Sequence, residues 1–278
     1  MKRLHYIALC MVLSFTGSIP LKAQLQNFKS ESYIGLMLGG SYYIGDLNPF
    51  GHFNKRTGPS ATLIYKYHIN SRLEARGTFS YGRVAGSDAD AKDASLRARN
   101  LSFHSDIFEL AGGIEFNYLN YRLGNTKYFF SPYLFIEAAI FRMDPRTTYK
   151  GEMVHLQTIG TEGQNSKLSN KKSYPLIQFA IPFGIGFKFN LGHKAAIALE
   201  YGLRKTFTDY LDDVGSGDFI DKKELAKYNG NIAAELSDRS NPGYKMTGKR
   251  GNPATKDWYS MFGISFIFSL GKGNTCFY

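Results

Sequence analysis

Between Ile177 and Leu191 apolar side chains occupy every second position. Ile177, Phe179, Ile181, Phe183, Ile185, Phe187, Phe189 and Leu191 share one face, and Gln178, Ala180, Gly184, Gly186 and Lys188 share the other. A period of two predicts a β-strand. A face this apolar along its whole length predicts a strand against lipid, where backbone groups are satisfied only inside a closed barrel. The alternation recurs at 34–43, 59–69, 72–83, 105–118, 128–141, 174–191, 194–206 and 258–270. Eight such runs, each long enough to cross a bilayer when tilted, predict an all-β fold: an eight-stranded antiparallel transmembrane β-barrel of the outer membrane.

The connections alternate too. Positions 70–71, 120–127 and 192–193 are short, whereas 47–58, 84–104, 142–173 and 207–257 are long. Short periplasmic turns and long extracellular loops give this rhythm. In the last loop, Asp221 precedes good helix formers from Lys222 to Tyr228, and Asn231 to Leu236 repeats the pattern after Gly230, so short helices are expected there. Their apolar residues Ile220, Leu225, Tyr228, Ile232 and Leu236 suit either capping of the barrel mouth or docking of a partner.

The start of the chain refines the picture. Lys2 and Arg3, an apolar run at 7–15, and Leu21-Lys22-Ala23 before Gln24 predict a secretory signal peptide over 1–23, cleaved near Ala23, with 24–278 as a single barrel domain. The 29 Gly, 22 Phe and 19 Tyr suit a soluble β-sandwich as well, but eight lipid-type faces with this loop rhythm favour the barrel. The net charge of +11 falls to +8 once Lys2, Arg3 and Lys22 leave. An exported barrel meets no nucleic acid, so the counter-charges for its basic loops are outer-membrane lipids, lipopolysaccharide included, and other proteins. Cys10 leaves with the signal, and Cys276 alone cannot form an internal disulfide.

With the apolar faces outward, Lys66, Arg72, Glu74, Arg76, Glu109, Glu115, Glu137, Lys188, Glu200 and Arg204 point inward, five cations and five carboxylates. Side chains fill the interior of an eight-stranded barrel, and charges survive there only when paired. A self-neutralising, blocked lumen is expected. Tyr65, Tyr67, Tyr118, Tyr201, Trp258 and Tyr259 at strand ends read as the aromatic interface girdle. His104, Ser105 and Asp106 form the one cluster worth weighing as a nucleophile, base and acid, but neighbours on a strand face opposite sides. No catalytic residue, cofactor or metal ligand is assigned. Asp209, Asp212, Asp213, Asp218 and Asp221 are oxygen-rich enough for calcium, yet their spacing is not that of an EF-hand. They read as turn caps and as partners of Lys249 or Arg250.

Three stretches carry a family resemblance. They are Leu38-Gly39-Gly40-Ser41-Tyr42-Tyr43-Ile44-Gly45-Asp46-Leu47-Asn48-Pro49, then Thr206-Phe207-Thr208-Asp209-Tyr210-Leu211-Asp212-Asp213-Val214, then Arg250-Gly251-Asn252-Pro253 leading to Asp257-Trp258-Tyr259. Over most of the mature chain they resemble the PorG-type outer-membrane proteins of Bacteroidota. The resemblance implies a non-enzymatic barrel component of the type IX protein secretion machinery, which in some species supports gliding motility. It implies as partners a periplasmic ring lipoprotein and its companion, of the PorK and PorN type, anchored at the outer membrane by the barrel. Related barrels lie outside secretion, so the alternative is an autonomous OmpA-like small barrel for envelope integrity or adhesion. The periplasmic surface is small, comprising 24–32, three turns and 271–278, whereas a stable interface buries about 800 Å² per partner. Either the arm, the turn at 121–127 and the tail act together, or the partner also touches the lipid-facing wall.

Overall fold

The computed structural model describes residues 31–49, 51–215, 217–240, 246–252 and 254–270. The signal segment, Cys10, most of the N-terminal arm and the tail with Cys276 lie outside the described residues.

The strands in chain order are β1 Ser32–Ile44, β2 Gly58–Asn70, β3 Leu73–Ser87, β4 Ser102–Asn117, β5 Phe130–Arg142, β6 Pro145–Tyr149, β7 Glu152–His155, β8 Ile177–Asn190, β9 Ala195–Thr206 and β10 Trp258–Ser269. Apart from the short β6 and β7, they form one antiparallel circuit, closed where β1 pairs with β10 from Tyr33↔Ser269 to Ile44↔Trp258. This is the expected eight-stranded barrel. β6 continues the path of β5 above the barrel, pairing briefly with β4 at His104↔Arg146 and then with β7.

The parity of each strand sets its two faces. On β8, Phe179 and Ile185 are exposed on the outer wall, whereas Ala180, Gly186 and Lys188 are buried inside. Leu110 on β4 and Phe179 each expose 64% of their surface, within a continuous outer belt that includes Leu36, Ile136, Leu199 and Phe266. A water-soluble fold rarely leaves so large an apolar surface uncovered; hydrocarbon is its natural neighbour. Inward glycines make the narrow bore workable. A Cβ on Gly186 would stand 2.2 Å from the Tyr133 ring, so only glycine lets that tyrosine cross the lumen.

Some expected boundaries move. β8 begins at Ile177 rather than 174, because Tyr174 turns into the extracellular cap, stacks on Tyr210 with ring centroids 4.6 Å apart, and donates to Asp213 at 2.7 Å. The turn between β2 and β3 is Ser71 and Arg72, since the Asn70 side chain accepts from the backbone N–H of Arg72 and Leu73, both at 2.9 Å. Arg72 therefore stands exposed on the rim, its guanidinium donating to the Tyr118 carbonyl at 2.9 Å, and does not enter the lumen as expected.

Among the described residues the cap carries four short α-helices: α1 Ala94–Arg99, α2 Leu156–Ile159, α3 Lys222–Asn229 and α4 Asn231–Ser237. α3 and α4 fall where helices were expected, and Asp221 caps α3 by accepting from the N–H groups of Lys223 and Glu224. Leu225 and Leu236 are buried in the cap, while Tyr228 and Ile232 stay exposed at 43% each. The helices thus close the mouth and still present an apolar outer face.

Candidate functional site

The barrel interior is filled by ion pairs, seven side chains in one network and Arg204 with Glu109 beside it. Lys66 lies 2.6 Å from Glu115. Lys188 bridges Glu115 at 2.7 Å and Glu74 at 2.9 Å. Arg76 grips Glu200 with two nitrogens at 3.0 and 3.1 Å and also meets Glu115 at 3.2 Å and Glu137 at 3.3 Å. Arg204 reaches Glu109 at 3.5 Å. All nine side chains are buried. Without Arg72 the set is four basic and five acidic side chains, and tyrosine hydroxyls add hydrogen bonds to the acids. Tyr133 donates to Glu200 at 2.8 Å and Tyr259 to Glu109 at 2.6 Å, while His68 sits 3.2 Å from Glu74. Tyr259 is therefore a lumen residue. Its inward parity on β10 overrides the girdle role expected of an aromatic at a strand end.

Apolar groups close the network at both ends. On the periplasmic side Tyr33, Tyr121, Leu123 and Phe135 form one buried cluster. Tyr121 and Leu123 belong to the β4–β5 turn expected as part of a docking surface; here they fold into the barrel, and Arg122 pairs with Glu31 at 2.7 Å. On the extracellular side Tyr43, Phe103, Phe141 and Met261 from the wall pack with Leu211, Val214 and Leu236 from the last loop.

Above that plug the three resembling stretches converge. Tyr43 ends its hydroxyl 2.6 Å from Asp212 and 3.0 Å from Asp257. Asp257 accepts the Leu211 N–H at 2.9 Å, and Asp46 accepts the Asn252 N–H at 2.8 Å. Arg99 fixes the assembly from α1. It holds Asp88 through two nitrogens at 2.6 and 2.7 Å and donates to the carbonyls of Arg250 at 2.6 Å and Asp46 at 3.0 Å. Arg250 in turn donates to the Asp213 carbonyl at 2.6 Å and approaches Glu162 at 3.4 Å. The backbone at Gly45 lies flat on this junction, because a Cβ there would fall 2.1 Å from the Tyr43 hydroxyl and 2.2 Å from Asp257.

Burial dominates the electrostatics of this junction. It drives Asp212 and Asp257 well above the ordinary carboxylate range, and their negative neighbours, Asp46 beside Asp212 and Asp212 beside Asp257, push the same way. Burial also raises Asp46 to about 6, and raises Asp213 to about 6 against the opposing pull of Arg250. For Glu162 burial is outweighed by Arg250 and Lys171, which hold it below its usual value. One tyrosine hydroxyl lies between the two carboxyls, and burial together with their mutual repulsion favours the neutral form of both.

The remaining aspartates of the last loop that make side-chain contacts face partners of their own. Asp213 accepts from Thr161 at 2.5 Å, Lys256 lies 3.5 Å from Asp209, and Lys249 lies 3.1 Å from Asp218. Lys249 and Arg250 are the cations expected for them. His104, Ser105 and Asp106 do not converge. Ser105 is buried and accepts the Asp144 N–H at 2.9 Å, whereas Asp106 is held on the outer wall by Arg83 at 2.8 Å and Tyr81 at 2.9 Å. Arg99, Glu162 and Tyr43 hold the cap without having been singled out as site residues, and Tyr43 alone lay within a resembling stretch.

Residues 7–235 match the family described as Domain of unknown function (DUF6089). No curated protein matches the sequence. Among solved structures the fold is similar to the attachment invasion locus protein Ail of Yersinia pestis, with a TM-score of 0.41, 11% identity, and 87% of this chain and 100% of Ail covered. It is similar to Neisserial surface protein A at a TM-score of 0.41 and 8% identity, covering 87% of this chain and 99% of that one. It is also similar to OprG of Pseudomonas aeruginosa at a TM-score of 0.36 and 12% identity, covering 86% of this chain and 96% of OprG.

Proposed function

We propose that this chain, which belongs to the DUF6089 family, is a non-conducting, non-enzymatic outer-membrane anchor of the type IX secretion machinery, holding a periplasmic ring of the PorK and PorN type at the membrane. The observation that carries the anchor reading is the solid lumen. A bore filled by paired charges such as Arg76 and Glu200, with apolar clusters at both ends, leaves the protein its surfaces as working parts. The secretion assignment draws on the three PorG-type stretches, and their meeting in one buried junction gives those residue types a reason to occur together.

A second reading, an autonomous OmpA-like barrel for envelope integrity or adhesion, is favoured by one observation. The described mass outside the barrel is almost all extracellular, from α1 to α4 and the β6–β7 hairpin. Crosslinking of the tagged protein in outer membranes, mild-detergent capture and mass spectrometry separate the two. Co-purification of a ring-forming lipoprotein and its companion supports the anchor. Recovery of the barrel alone, with secretion intact in a deletion strain, overturns it in favour of the second reading.

A further inference from the structure

A groove of about 710 Å³ opens where the barrel wall meets the cap, sharing Asp46, Arg99 and Arg250 with the junction described above. Its floor includes Ile44 and Trp258, a registered pair at the extracellular ends of β1 and β10. Both side chains have the parity of the lipid-facing wall, so the floor stands where hydrocarbon gives way to headgroups, the level at which tryptophan is enriched. Leu96 of α1 extends the apolar lining, and Lys249 and Lys256 add cations whose side chains are half exposed. Each lysine faces one aspartate of its own loop, a surface pairing worth little and readily exchanged. On the wall beside the groove Lys205 lies over the Trp258 ring at 5.8 Å, so a further cation sits at the same height.

The geometry points to a site for the phosphorylated glycolipid of the outer leaflet: acyl chains against the belt below, the sugar headgroup in the groove, and its phosphates on Lys249 and Lys256. The volume is that of a site for a sizeable polar headgroup, and with Arg99, Lys249, Arg250 and Lys256 against the single carboxyl of Asp46 in the lining, the charge pattern complements an anion held at the membrane surface. This surface lies on the opposite side of the membrane from any periplasmic ring and is independent of the secretion assignment.

Trp258 is the single tryptophan of the chain, so its fluorescence reports the groove directly. The mature protein is reconstituted in phosphatidylcholine nanodiscs, and bisphosphorylated lipid A is added in steps while Trp258 emission is followed. The expected result is a saturable change that weakens about tenfold or more in the K249E/K256E double variant and is unaltered in K223E/K227E, whose reversed charges lie on exposed α3 away from the groove. Strand content by circular dichroism verifies that both variants fold. An undiminished response in K249E/K256E, an equal response to phosphatidylglycerol, or no response in the parent protein overturns the assignment.

Discussion

The Tyr43 hydroxyl donates to Asp212 at 2.6 Å, joining residues 169 positions apart in sequence. Tyr43 is on the first strand of the barrel and Asp212 is in the loop between the last two, so the bond spans the seam that closes the circuit. Asp257 shares the same hydroxyl and holds the Leu211 N–H. The extracellular cap is thereby latched to the wall through buried carboxyls whose proton affinity is raised, and this gives it a pH dependence.

Asp46 and Asp213, raised to about 6, and Asp212 and Asp257, raised further, bind more protons in the folded cap than in an open one. A group raised in this way contributes stability that is lost as pH climbs from its unfolded value, 3.8, through its folded one. The cap is therefore expected to open more readily at about pH 8 than at about pH 5, by roughly tenfold or more per site that deprotonates. Hydrogen exchange of the Leu211 amide, corrected for intrinsic rate, checks this. Asp257→Asn retains an acceptor for that amide without titrating, and should flatten the profile.

Within the lumen, Arg76 touches Glu115, Glu137 and Glu200. Arg76→Met leaves three buried carboxylates short of their shared cation, and a loss of about 3–5 kcal/mol is expected. Urea unfolding of the refolded barrel in detergent measures it. Arg76→Lys should recover only part of the loss, since an ammonium cannot hold Glu200 through two parallel bonds.

The same packing predicts electrical silence. With Lys188 bridging Glu74 and Glu115 and with Tyr121 and Leu123 folded into the periplasmic end, no continuous water path is expected through the bore. Planar-bilayer recordings of the purified protein should show no unitary steps above baseline. Reproducible channels of uniform size would mean that the plug opens in the membrane.

The barrel was legible because its information is local. Strand parity assigns a face residue by residue, which is how Lys66, Glu115 and Glu200 could be sent inward before any contact was known. Arg72 went astray for an equally local reason, the Asn70 side chain that folds a turn one residue later than the alternation suggests. Tyr259 had the right parity and was given the wrong role, because an aromatic at a strand end looks the same from sequence whether it faces lipid or a buried Glu109. The cap junction was legible only in its residue types, not in its contacts. Asp46, Asp212 and Asp257 come within reach when the expected closure sets β1 beside β10, but which of them meet depends on the path of the last loop, and neither periodicity nor spacing encodes that path.

Arg250 is the residue on which the last loop depends. It is buried, donates to the carbonyls of Asp213 at 2.6 Å and Ser237 at 3.2 Å, and meets the Glu162 carboxylate at 3.4 Å. Its own carbonyl is held by Arg99, so two arginines tie α1, α4 and the return to β10 together. Arg250→Ala leaves Glu162 with Lys171 as its remaining cation and strands two carbonyls in a buried setting, at about 1–3 kcal/mol for each group left without a partner. The wall strands make no use of Arg250, so the expected damage is confined to the cap. Limited trypsin digestion of intact outer membranes should cut the variant among the lysines of α3 and leave a protected barrel core, while the parent chain resists at the same protease dose. Loss of the whole barrel along with the cap would instead mean that the junction and the wall fold as one cooperative unit.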